Sequence, residues 1–146
     1  MPPFTFGLQQ VLDYRAQLEE QAKLVFARAK AEHDVEERRA KALHEDLVRN
    51  VQKLYESAGK PRHEVWLQEN YVKGLQADVV AAYAQLRLLA RTMEDARAIL
   101  VQRAQDRKLL EKLKAKQAER HAHEERLTEQ RTYDETATLR FQPPSF

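Results

Sequence analysis

The stretch from Tyr71 to Lys116 constrains the fold of this chain more than any other feature. It contains no proline, and its apolar residues return on a seven-residue repeat. With heptad position a at Val72, Val79, Leu86, Met93 and Leu100, and d at Leu75, Ala82, Leu89 and Ala96, every core slot from Val72 to Leu100 is apolar. Burying one Val or Leu side chain is worth roughly 1.5–3 kcal/mol. A stripe of this length therefore demands a partner helix.

The partner lies in the same chain. The prolines are confined to positions 2, 3, 61, 143 and 144, and only three glycines occur in 146 residues, so helix breakers sit at both ends and once in between. Ser57-Ala58-Gly59-Lys60-Pro61 forms the one interior turn, with Gly59 suited to a left-handed helix cap. Upstream of it the 3,4 spacing runs through Ala40, Leu43, Leu47, Val51, Leu54 and Ala58. Nearer the N-terminus the clearest seam is Leu8, Val11 or Leu12, Leu18, Ala22, Val25 and Ala29. Arg15 interrupts that seam, laying its methylenes along it with the head in water. Lys30 to Arg39 is almost wholly charged, and a slip of heptad phase is expected near His33 to Glu37.

These features predict an all-α fold: two long helices in an antiparallel coiled-coil hairpin, with the C-terminal helix extending beyond the paired region. The expected bounds are helix 1 over about 5–58, a turn at about 59–61, helix 2 over about 62–140 and a tail at 141–146, within a single coiled-coil domain 1–146. Leu43, Leu47, Leu54, Val72, Leu75, Val79, Leu86, Leu89, Met93 and Leu100 form its seam. A mean hydropathy of −0.75 with 33% charged residues suits such a thin core better than a globular one. Helix 1 covers helix 2 only to about Lys116, so residues from Gln117 onward are expected to project.

Little in the chain points to catalysis. It has no cysteine, which excludes thiolate chemistry and fits a reducing cytoplasm. Its glycines are isolated, so no phosphate-binding loop is expected, and a thin two-helix structure offers no enclosed pocket. His121 and His123 lie two apart on a helix and face opposite ways, while His33, His44 and His63 lack spaced partners. Neither a cofactor nor a metal is expected, nor any enzymatic activity. The N-terminus has no basic or apolar targeting segment, and no apolar run approaches a membrane span.

Two surfaces stand out. Arg103 to Arg120 carries seven basic residues against three acidic ones, and Arg103 and Arg107 occupy core slots, so self-pairing is expected to weaken there and a partner to take over. Around the turn, Tyr55, Trp66, Leu67 and Tyr71 supply more aromatic surface than the seam can use, and aromatics are favoured interface anchors. The basic run has no aromatic for base stacking and no helix-turn-helix, so a protein partner is preferred over nucleic acid. The residues alone also accommodate a generic structural coiled coil or a prefoldin-like holdase chaperone.

Four motifs in order add a resemblance. The opening Phe4-x-Phe6-x-Leu8-Gln9-x-Val11-Leu12-x-Tyr14-Arg15, the central Asn70-Tyr71-x-x-x-Leu75, the run Asp106-Arg107-Lys108-x-Leu110-Glu111-Lys112-Leu113-Lys114 and the ending Glu129-Gln130-x-x-x-Asp134-Glu135 together resemble the flagellar type III export protein FliJ family. The resemblance covers nearly the whole chain, with Gly74 a departure where a larger apolar residue is expected. It implies an antiparallel coiled coil similar to the stalk of rotary ATPases, acting in flagellum biogenesis, flagellar protein export and motility. It also implies partners: the hexameric export ATPase, the cytoplasmic domain of the export gate, and export chaperones. By the same analogy, Arg103, Arg107, Lys108, Glu111, Lys112 and Lys114 bind the ATPase, while Tyr55, Trp66 and Tyr71 face the gate. The implied location is cytoplasmic, peripheral to the inner-membrane export apparatus.

Overall fold

A computed structural model describes residues 2–141 and residue 143; of the expected tail, residues 142 and 144–146 lie outside the described residues. Two long helices, α1 (Gln9–Tyr55) and α2 (Arg62–Arg140), pack against each other antiparallel, and the described residues contain no strand. Each helix contributes to two compact units. One comprises residues 20–102, and the other comprises residues 1–19 with 103–146.

The unit of residues 20–102 holds the turn and the apolar seam. On α2, Val72, Leu75, Val79, Ala82 and Ala96 are buried and Leu86, Leu89, Met93 and Leu100 half-buried. Opposite them, Ala22, Ala29 and Ala40 are buried and Leu43, Leu47, Val51 and Leu54 half-buried. Small alanines on α1 let the two backbones approach, and larger Val and Leu side chains of α2 fill the space between. The expected phase slip does not occur. Phe26, Ala29, His33, Glu36, Ala40 and Leu43 lie buried or half-buried in unbroken 3,4 steps, so polar side chains occupy two seam slots without shifting the register. Phe26 takes the slot expected for Val25, and the Arg97 guanidinium lies over its ring at 5.4 Å.

At the turn α1 ends at Tyr55, three residues before the expected Ala58. Ser57 explains this, because its hydroxyl donates to the Leu54 carbonyl at 2.5 Å and competes with the helical ladder. Ser57 is buried and Ala58 exposed. Gly59 has φ +90°, the left-handed conformation open to glycine. The Pro61 carbonyl then accepts from the Glu64 and Val65 amides at 3.0 and 3.2 Å, starting α2. Just beyond, Gln68 Nε2 donates to the Asn50 carbonyl at 3.2 Å and ties the helices together.

The second unit begins with non-helical chain. Helix 1 does not extend back to Thr5; instead Phe6 is buried with Leu12 and Leu110, and Phe4 packs against this cluster. The Gln9 amide donates to the Phe6 carbonyl at 3.1 Å, so Phe6 clips onto Leu12 across the helix start much as a hydrophobic staple does. The leading residues continue along α2: the Phe4 ring is 5.7 Å from His121, whose Nε2 lies 3.2 Å from the Pro2 carbonyl oxygen. Pairing therefore reaches His121 rather than ending at Lys116. Beyond it, the side chains of residues 122–140 are exposed except those of Glu125 and Thr136, which are half-buried.

Candidate partner-binding surfaces

In the unit of residues 1–19 and 103–146, the α2 seam keeps its 3,4 spacing through Arg103, Arg107, Leu110, Lys114, Gln117 and His121, all buried or half-buried. Only Leu110 among them is apolar. Two of the polar members, Arg107 and Lys114, find partners on α1. Arg107 Nε donates to Glu19, whose side chain is 8% exposed, and Arg107 Nη1 reaches Glu111 Oε2 at 2.8 Å. Hydrogen bonding to Glu19 first, and to Glu111 second, drives the Arg107 pKa above its ordinary value against the opposing effect of burial. Lys114 Nζ donates to Gln9 Oε1 at 2.7 Å. Arg15 Nη1 donates to the Asp106 carbonyl at 2.9 Å, so its head is not in water as expected.

These contacts sort the basic residues. Arg103, Arg107 and Lys114 are half-buried along the seam, while Lys108, Lys112 and Glu111 are exposed. The expectation that self-pairing weakens at Arg103 is corrected: charged hydrogen bonds replace apolar contacts, and the register continues. Glu19, Gln9, Phe4 and Phe6 are contributors that the heptad reading missed. A carboxylate at a seam slot spaced to meet Arg107 is the signal for Glu19, and it becomes visible only once the pairing register is known.

The turn surface belongs to the other unit. Tyr55, Trp66 and Tyr71 are 80%, 61% and 56% exposed, and Leu67 is exposed beside them. A shallow cleft there is lined by Lys53, Glu56, Lys60, Glu64, Leu67 and Tyr71, among others. Tyr71 therefore faces the cleft, whereas Tyr55 and Trp66 are not among the residues that line it.

Far from the turn on α1, His33 has closer neighbours than its spacing implied. Its Nδ1 lies 3.3 Å from Asp34 Oδ1 and 3.8 Å from Glu37 Oε2, a grouping with the ligand types of a cation site. Lys41 already neutralises the other Glu37 oxygen at 3.0 Å, and the group reads as an ion-paired helix surface. No helix among the described residues is long and apolar enough to cross a membrane.

No curated protein and no solved structure matches the chain. The model of one protein family, described as Flagellar FliJ protein, matches residues 5–144. That span takes in both helices and both units, and on it the chain belongs to the flagellar FliJ family, with a role in flagellar protein export.

Proposed function

We propose that the chain is a non-catalytic stalk and adaptor of the flagellar export apparatus. It binds the hexameric export ATPase, promotes its assembly and activity, and links it to the export gate and to export chaperones from the cytoplasmic face of the membrane. The observation that carries this reading is the family match over residues 5–144. Exposed Lys108 and Lys112 are the side chains offered to the ATPase, a reading supported by their exposure, while Arg107 and Lys114 are engaged between the two helices. Arg103 and Glu111 flank them. On the other unit, exposed Trp66, Tyr55 and Tyr71 are the anchors offered to the gate.

The test is a binding and hydrolysis assay with purified export ATPase. Lys108→Glu with Lys112→Glu leaves the melting curve unchanged, since both side chains are exposed, and weakens ATPase binding and stimulation. Unaltered stimulation by that variant moves the site elsewhere. A wild-type chain that leaves hexamer formation and hydrolysis unchanged, yet suppresses aggregation of unrelated clients, favours the holdase reading instead.

A further inference from the structure

In the unit containing residues 103–141, α2 carries a second stripe outside its seam. Taking Arg107 and Lys114 as a positions, the c and g positions run from Leu109 to Ala137, Phe141 follows one residue past the end of α2 where the next g would fall, and all of them are exposed. At its N-terminal end stand Leu109 and Leu113, with exposed Val11 and Tyr14 of α1 on the same side of the helix pair. Next come Lys116 and Arg120, then His123 and Leu127, and after Gln130 come Asp134, Ala137 and Phe141. Read backwards from Phe141, the stripe complements itself. Leu109 matches Phe141, Leu113 matches Ala137, Lys116 matches Asp134, Arg120 matches Gln130 and His123 matches Leu127. Each match sets a c position against a g position, the alternation by which antiparallel helices interleave their core layers.

We propose that a second copy of this chain covers this stripe, with the two α2 ends pairing antiparallel about a two-fold axis at Glu125. Such an isologous contact requires one surface that complements itself when reversed. The stripe meets that requirement with apolar residues at both ends and, inside them, Lys116 mirrored by Asp134 as one opposite-charge pair that the symmetry repeats. Residues 122–140 also need a partner on other grounds. They form more than five helical turns with almost every side chain exposed, while helices draw most of their stability from packing one face. An anionic membrane fits less well, because Asp134 on the stripe would be set against its headgroups. Across the axis Glu124 faces the second copy's Glu124 on one flank, and Arg126 faces its counterpart on the other. These exposed like-charge contacts limit the affinity and make the dimer dependent on concentration.

The test is analytical ultracentrifugation of the full chain from low to several hundred micromolar. The expected result is a mass that rises from the 17.1 kDa of one chain towards twice that value. Lys116→Asp and Asp134→Lys each weaken the dimer about tenfold, because symmetry repeats the lost pair, and the double variant restores it to within about threefold. At low concentration, where each is a single chain, helical content is the same in all three. The chain has no cysteine, so Glu124→Cys supplies one thiol beside the axis. It is expected to form a disulfide dimer on mild oxidation, whereas Val80→Cys, exposed on the other unit, does not. A single-chain mass at every concentration, or a double variant as weak as either single one, overturns the proposal. So does a chain that stays monomeric and instead binds anionic vesicles or an acidic partner helix.

Discussion

Between Val72 and Leu100 every a and d slot of α2 presents hydrocarbon to α1, whereas between Arg103 and His121 only Leu110 does. The heptad spacing is the same in both stretches, and the chemistry at the slots is not. Hydrocarbon stabilises contact but discriminates weakly between one register and the next. The contacts of Arg107 with Glu19, Arg15 with the Asp106 carbonyl and Lys114 with Gln9 each exist in one register alone. In net energy such half-buried charges gain little, since desolvation offsets much of their attraction. The apolar unit thus supplies stability, and the polar unit supplies alignment.

The sharpest way to break this comparison is to place a charge in the apolar seam. Leu75→Asp buries an unpaired carboxylate at a slot that is 7% exposed, and is expected to cost 3–5 kcal/mol or more, roughly, in chemical denaturation. An unchanged midpoint would mean that the seam does not hold the helices together. In the polar unit, Glu19→Ala leaves Arg107 facing an empty slot and is expected to cost about 1–3 kcal/mol. The paired change Glu19→Leu with Arg107→Leu is expected to recover most of that loss, because apolar residues of similar size replace buried ion pairs without penalty. If the double variant is as unstable as Glu19→Ala, the polar slots contribute stability rather than alignment. The smallest effect lies outside both seams. A Cβ at Gly74 meets nothing within 4 Å, so Gly74→Ala is expected to stabilise α2 by about 0.5–1 kcal/mol in thermal melts.

Much of this architecture is legible in the sequence because heptads and breakers are local signals. The α2 seam, the Gly59–Pro61 turn and the bounds of α2 follow from periodicity and proline placement. Two of the misreadings share one cause, which is that a seam slot filled by a polar residue looks like an interruption. His33 and Glu36 therefore suggested a slip of phase, and Arg103 and Arg107 suggested the end of self-pairing. In both places the slot is kept and its occupant is changed. Phe6 falls inside the helix expected from about residue 5, yet the packing of Phe4 and Phe6 against His121 and Leu110 depends on residues about a hundred positions away. The exposure of Lys108 and Lys112, in contrast to Arg107 and Lys114, likewise emerges only when α1 is laid against α2.

Native-state hydrogen exchange on the free chain tests the central claim most directly, since it reads the stability of each segment separately. The account predicts that amides from Val72 to Leu100 exchange through the highest free energy of opening, that those from Arg103 to His121 open at lower cost, and that those beyond His121 exchange fastest. Equal protection across Val72 to His121, or greater protection in the charged stretch, would contradict it.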